Sequence, residues 1–318
     1  MAKQAKAKDR KKPIVKIVAA VVLVALAVAL NVGTSMFSSL LDHYLGGRPS
    51  ETIVAEGSEN WDTSYYEAEY RGRTQANRAA QEVVAEVEGE GAVLLKNDND
   101  ALPLDTSKTV SLLGRYAVDP VYGGAGSGTV DPNDCVTLYQ GLQNAGFTIN
   151  DTAYGWVSDN YANYAKADIT MDSPSTASYY IGEIPWSDYS TDAQDSIAGT
   201  TGIVVIGRGG GEGGDLSTDL LGDLNSGTSK NFTANNETAN YEDGQHELEL
   251  TTEEKGLIKA AKERCDKVVV LLNCSTTMEV GPLMSGEYSV DAILNIGSLG
   301  ASGANGVGSI LSRAGNPS

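Results

Sequence analysis

Gly202-Ile203-Val204-Val205-Ile206-Gly207-Arg208-Gly209-Gly210-Gly211-Glu212-Gly213-Gly214-Asp215 is a run of β-branched residues that ends in a glycine-dense loop. The apolar part does not alternate with polar residues, so it reads as a strand buried on both faces. Glycines at its carboxyl end let the backbone take positive φ and pass close to a ligand. In open α/β sheets ligands bind beyond the carboxyl ends of the strands, which puts Glu212 where chemistry is commonly done. The same residues also fit a polar turn whose Glu212 and Asp215 are simply solvated. The stretch alone leaves both readings open.

Gly209, Gly211 and Gly214 also spell Gly-x-Gly-x-x-Gly. That motif binds dinucleotides by setting pyrophosphate against bare N–H groups at a helix N-terminus. Here an anion, Glu212, sits inside it and would repel the phosphates. The following residues, Leu216 to Tyr241, are rich in Ser, Thr, Asn, Asp and Gly and carry no helix pattern. A nucleotide site is disfavoured on both counts.

Other strands share the pattern. Val110 to Arg115 runs toward the loop Gly123-Gly124-Ala125-Gly126-Ser127-Gly128, Val268 to Asn273 is a second buried run, and Val290 to Gly297 a third. Helices are expected between them. Thr74 to Glu88 has Ala76, Ala79, Ala80, Val83, Val84 and Val87 on one face. Val136 to Asn144 is a second, stopped by Gly146. Thr251-Thr252-Glu253-Glu254 is a capping start for a third, reaching about Cys265. Val307 to Ser312 is the last. Strands alternating with helices predict an α/β fold, a mainly parallel sheet sandwiched between helices. The polar residues 150–200 read as an insertion at one edge, with Trp156, Tyr161, Tyr164, Tyr179, Tyr180 and Trp186 either packed or free to stack on sugars.

Charge is unevenly placed. The chain of 318 residues has a formal charge of −19, yet residues 1–16 carry seven Lys or Arg against one Asp, a net +6, leaving about −25 for the rest. An acidic body argues against nucleic-acid binding. Ile17 to Phe37 is an uncharged run of 21 residues, long enough to cross a bilayer as a helix. The basic flank predicts a cytoplasmic N-terminus and an extracytoplasmic body; a cleaved signal peptide is the alternative. The expected organisation is a basic tail (1–16), a transmembrane anchor (17–37), a stalk (38–75) and the α/β domain (76–318). His43 and His246 are the only histidines, and Cys135, Cys265 and Cys274 the only cysteines. Their spacing shows no metal-ligand or disulfide framework, and no cofactor or metal is expected. Asn231-Phe232-Thr233 and Asn236-Glu237-Thr238 match the glycosylation pattern but are given no weight.

Several stretches, taken in order, carry a resemblance. The helix with Arg78-Ala79-Ala80 leads into Val93-Leu94-Leu95-Lys96-Asn97 and Leu102-Pro103-Leu104. The loop Gly124-Ala125-Gly126-Ser127-Gly128 follows, then Ile206-Gly207-Arg208 with Gly211-Glu212-Gly213-Gly214-Asp215, and finally Gly315-Asn316-Pro317-Ser318. Over about residues 76–318 the chain resembles the C-terminal α/β-sandwich domain of glycoside hydrolase family 3, the β-glucosidase-type enzymes. The resemblance implies hydrolysis of a β-linked oligosaccharide or glycoside with retention, through a covalent glycosyl-enzyme intermediate. That chemistry uses two carboxyl groups roughly 5–5.5 Å apart. It implies Glu212 as acid/base, with Arg208 and Asp215 shaping the loop or binding sugar hydroxyls.

Two departures matter. Leu216 stands where the family commonly has Arg, which weakens ion-pair support for the loop. The family's nucleophilic Asp lies on a separate (β/α)8 barrel, which these residues do not include. A permuted subset of the family places the sandwich first, as here. The expectation is therefore the front part of a permuted, membrane-anchored glycosidase, or a truncated relative, that holds half of the catalytic pair and is inactive alone. The competing reading is an anchored carbohydrate-binding or scaffold domain in which Glu212 is vestigial.

Overall fold

The computed structural model describes residues 11–38, 41, 57, 68–124, 126–164, 181–210, 216–225 and 241–317. Most of the expected stalk, Tyr179 and Tyr180, both glycosylation patterns, and Glu212 and Asp215 lie outside the described residues. The chain divides into two units, Met1–Ala68 and Glu69–Ser318.

The first unit contains helix α1, Lys11–Met36. Its segment Val15–Met36, 22 residues of hydropathy 2.6, is long and apolar enough to cross a membrane. A signal sequence near an N-terminus has the same composition, so length and hydropathy leave anchor and signal open.

The second unit is built on a six-stranded sheet: β1 (Val93–Asn97), β2 (Thr109–Leu113), β3 (Thr148–Ile149), β4 (Thr201–Arg208), β5 (Lys267–Cys274) and β6 (Ala292–Asn295). Their order is β1-β6-β5-β4-β2-β3. All neighbours are parallel except β1, which runs antiparallel to β6 at the edge. The mainly parallel sheet is thus present, with one reversed edge strand. From β2 the chain steps outward to β3 and then back across to β4, so the direction of winding reverses between β2 and β4. Such a reversal opens a crevice at the carboxyl ends of the two strands.

Both faces of the central strands are apolar. Leu112, Ile203, Val205, Val269, Leu271 and Leu294 belong to one core cluster, while Leu113, Val204, Ile206, Val270, Leu272 and Ile293 belong to the other. Adjacent residues point to opposite faces, which is why the sequence shows unbroken apolar runs. Each such side chain contributes about 1.5–3 kcal/mol relative to exposure. The covering helices are α2 (Arg73–Gly91), α3 (Leu138–Asn144), α4 (Asp151–Asn160), α5 (Thr191–Ser196), α6 (Thr252–Arg264) and α7 (Gly303–Leu311). Residues of α3 and α7 join the first cluster; residues of α4, α5 and α6 join the second. Capping boxes start two of them, Thr137 with Gln140 for α3 and Thr251 with Glu254 for α6.

Residues 150–200 are not an edge decoration. They form the crossover from β3 to β4, and Ala153, Val157, Ile184, Ala193 and Ile197 are fully buried. Asn150 ties the crossover down: its Oδ1 accepts from the N–H groups of Thr152 and Ala153, and its Nδ2 donates to Ser111 Oγ at 2.9 Å. Trp156 stacks on Tyr189 with centroids 4.5 Å apart, so this pair serves packing.

The buried face of α2 also differs from the expected one. Val83 and Val87 are 56% and 64% exposed, while Glu88 is buried. The cause is the partner, α7, which meets α2 through glycines. A Cβ on Gly306 would stand 2.5 Å from Ala85 O and 2.9 Å from Glu88 Cβ. Small residues permit backbone approach, and that selects the side of Val84, Ala85 and Glu88 over Val83 and Val87. Burial pushes the Glu88 carboxyl up to about 8, and its Oε1 has no hydrogen-bond partner among the described residues.

Two outcomes are expected. Gly306→Ala overpacks the α2–α7 contact and should cost about 1–3 kcal/mol, read as a lowered Tm. Glu88 holds its proton in the folded state from its ordinary value of 4.5 up to about 8. The folded state therefore binds more protons than the unfolded one, and stability falls as pH rises through that window. Glu88→Gln should flatten part of that fall in urea titrations and gain on the parent at the alkaline end.

Candidate active site

Strand β4 ends in Gly207-Arg208. Glycine is required at 207 because a Cβ there would lie 2.0 Å from Tyr116 Cδ1. Arg208 follows with 1% exposure. Its Nη1 and Nη2 donate to Glu254 Oε1 and Oε2 at 2.6 and 2.9 Å, a bidentate pair across to the first turn of α6. Its remaining donors go to backbone carbonyls: Nε to Glu247 O at 2.7 Å and Nη2 to Glu249 O at 2.9 Å. Burial would lower the guanidinium's pKa, but the charge and hydrogen bonds of Glu254 outweigh it and the net direction is up. Arg208 is thus a fixed cation beneath the strand end, with its donors spent inside the protein.

A second buried layer lies at the β2 end of the crevice. Glu183 accepts from the backbone N–H of Arg115 at 3.0 Å and of Ile184 at 2.8 Å. Desolvation pushes its carboxyl up to about 8 against those hydrogen bonds. Arg115 Nη2 pairs with Asp119 at 3.1 Å, and its Nη1 donates to the carbonyls of Tyr161 and Tyr164. Glu247 accepts from Ser217 N–H at 3.2 Å and is pushed up to about 7 by burial, against that hydrogen bond and the Arg208 charge.

Above these charges lies a cleft of ≈ 550 Å³ lined by Gly124, Gly210, Leu216, Cys274, Ser275, Thr276, Gly297 and Ser298. These residues follow β2, β4, β5 and β6, so the cleft opens where the sheet topology predicts. None of them is charged. Ser275 Oγ and Ser298 Oγ are 2.9 Å apart. Asn273 fixes two of the walls: its Nδ2 donates to Val121 O at 3.0 Å and to Gly297 O at 2.7 Å. Gly210 and Leu216 bracket residues 211–215, the segment that contains Glu212 and Asp215. Of the three residues singled out in the sequence, Arg208 lies under the cleft and the other two belong to this bracketed segment, outside the described residues.

Sequence reasoning missed several members of the site. Glu254 was legible as a helix-capping acid, but its bond to Arg208 joins residues 46 apart. Glu183 and Glu247 had no signal, being acids in polar stretches. His246, Glu249 and Glu279 bring potential ligand atoms within 4.8 Å of one another, a grouping that sequence spacing did not reveal.

The glycosyl hydrolase family 3 C-terminal domain matches residues 92–318. The chain belongs to this family. It is 27% identical over 237 residues to a β-glucosidase of Ruminococcus albus, covering 72% of this chain and 21% of that protein. It is 29% identical over 203 residues to β-glucosidase A of Butyrivibrio fibrisolvens, covering 63% and 23%. The chain therefore spans less than a quarter of these relatives. Among solved structures, β-glucosidase 3B of Thermotoga neapolitana in complex with glycerol superposes with a TM-score of 0.55 at 22% identity, covering 79% of this chain and 31% of that one. That likeness establishes the fold.

Removing one partner of the central pair tests its weight. Glu254→Gln leaves the Arg208 charge buried and should destabilise by about 3–5 kcal/mol in chemical denaturation. Glu287→Gln, which strips Lys259 of an exposed partner, should change nothing measurable.

Proposed function

We propose that this domain supplies the general acid/base of a retaining β-glucosidase-type hydrolase, with Glu212 in that role and the cleft beyond β4, β5 and β6 as its share of the sugar site. One observation carries the reading: the residues on either side of the Glu212 segment, Gly210 and Leu216, both line that cleft. Family membership and the β-glucosidase names of the relatives support the substrate class. The hydroxyls of Ser275, Thr276 and Ser298 and the bare glycine backbones suit a polyhydroxylated ligand.

In this reading a second carboxylate, on the (β/α)8 barrel that accompanies the domain in its family, attacks the anomeric carbon. The glycosidic C–O bond breaks as Glu212 gives its proton to the leaving oxygen. Glu212, now ionised, takes a proton from water, and that water attacks the anomeric carbon to release the sugar and the nucleophile. Arg208 acts through position. Its pair with Glu254 and its bonds to the 247–249 carbonyls fix where the loop departs. Asp215 contributes at the far side of the loop, to its shape or to a sugar hydroxyl. Helix α1 is read as an anchor with the basic tail in the cytoplasm and the α/β domain outside; a cleaved signal would place that domain on the same side.

The test compares the 318-residue chain alone with the same chain joined to the barrel domain of a relative, using an aryl β-glucoside. The chain alone should show no turnover above background. The joined protein should be active, and Glu212→Gln should lower its kcat by about 10²–10⁴-fold, with azide restoring turnover of an activated aryl glycoside. Robust turnover by the chain alone, or activity indifferent to Glu212→Gln, would overturn the assignment. Glucoside binding unaffected by Glu212→Gln, without turnover, would point instead to a binding domain.

A further inference from the structure

His246, Glu249 and Glu279 come together on the outer side of the strap that encloses Arg208. The strap, Gln245 to Leu250, carries the carbonyls of Glu247 and Glu249 that receive the Arg208 guanidinium. Glu279 comes from the segment that leaves the cleft wall after β5 and is fastened to the strap by Glu279 N–H donating to Leu248 O at 2.9 Å. Within the strap, His246 N–H donates to Glu249 Oε2 at 3.1 Å. The potential ligand atoms of the three side chains all lie within 4.8 Å of one another.

Two features set this group apart from an ordinary surface ion pair. First, His246 Nε2 is 3.3 Å from Glu279 Oε1, longer than the 2.7–3.2 Å of an N–H···O hydrogen bond. Two ligands on a tetrahedral Zn²⁺ with bonds of about 2.0–2.2 Å stand roughly 3.4 Å apart, which the observed separation matches. Second, the other ring nitrogen, Nδ1, is buried and has no hydrogen-bond partner among the described residues. Buried, Nδ1 is closed to an ion, which leaves Nε2 as the ring's ligand atom. Glu279 is half exposed, so its side chain can adjust to bring the ligand atoms, now within 4.8 Å of one another, to bonding separation.

We propose that His246, Glu249 and Glu279 form a binding site for one divalent transition-metal ion, Zn²⁺ in preference to Ca²⁺ or Mg²⁺. An imidazole nitrogen with two carboxylate oxygens suits Zn²⁺, whereas Ca²⁺ and Mg²⁺ are held by oxygen alone. Three protein ligands leave the fourth position for water. The ion is a staple. It locks the strap around Arg208 to the segment that continues the cleft wall, and so stiffens the base from which the 211–215 segment departs. The site stands on its own geometry and does not depend on the role given to Glu212.

The full chain, stripped with a chelator and passed through gel filtration, is titrated with Zn²⁺ by calorimetry and followed by thermal unfolding. Uptake of a single equivalent is expected, with Tm raised by roughly 5–10 °C at a hundredfold excess over Kd. Ca²⁺ and Mg²⁺ should give no comparable shift. Both Zn²⁺ effects should be lost in His246→Ala and in Glu279→Gln, and circular dichroism matching the parent confirms that each is folded. His246→Gln serves if the alanine variant does not fold. Co²⁺ in place of Zn²⁺ should show d–d bands without thiolate charge transfer, which separates this site from Cys135 and Cys265. Absence of Zn²⁺ uptake, uptake that survives both variants, or a thiolate band would overturn the proposal.

Discussion

A guanidinium and a carboxylate, both 1% exposed, are locked together between the end of β4 and the first turn of α6. Such a pair adds little net stability, because desolvation of both ions offsets their attraction. Its effect is on register. Arg208 shares its sheet face with Val204 and Ile206, the face covered by α6. A slip of β4 by one residue would turn Arg208 toward the opposite cluster, beneath α3 and α7, with its charge buried and Glu254 left behind. Glu254 is committed from the other side as well, since its Oε2 also accepts from Thr251 N–H at 2.9 Å to close the capping box. One carboxylate thus fixes the start of a helix, the end of a strand and the departure point of the glycine loop.

This arrangement sorts charge by depth. The ionisable residues Arg115, Glu183, Arg208, Glu247 and Glu254 are buried beneath the strand ends, and the cleft above them is walled by glycines, serines, a threonine, Leu216 and Cys274, none of them charged. In this domain of glycosyl hydrolase family 3 the strand ends thus form an uncharged floor over a charged layer. Within that layer burial pushes the carboxyl of Glu183 up to about 8 and that of Glu247 up to about 7. Glu183 and Glu247 show why a raised carboxyl pKa cannot by itself nominate a catalytic acid.

The parts of the fold that were legible in the sequence were those governed by local rules. The β4 and β5 strands followed from unbroken β-branched runs, and the start of α6 from Thr251 and Glu254. What failed was governed by partners distant in sequence. Residues 150–200 are polar on average, yet Ala153, Val157, Ile184 and Ile197 sit at zero exposure; a long crossover that sends only scattered residues into the core hides them in its average composition. In α2 the valines set the apparent apolar face, but glycines on α7 decide which side can be approached. Arg208 was singled out in the sequence, but its burial was not legible, because its partners on Glu247, Glu249 and Glu254 lie far along the chain.

The two anchors beside the glycine loop bound its reach. Upstream, the chain is fixed at Arg208. Downstream, Ser217 is buried, with its N–H on Glu247 Oε2 and its carbonyl receiving Glu247 N–H at 3.1 Å. Glu212 is four residues from the first anchor and five from the second, so a fully extended chain allows its Cα at most about 14 Å from one and 18 Å from the other. Chain length alone therefore limits that Cα to the overlap of two spheres centred on the anchors. In solution terms that is a tethered carboxylate at an effective concentration of millimolar or above. Glycines make the tether permissive in direction, while the anchors make it short.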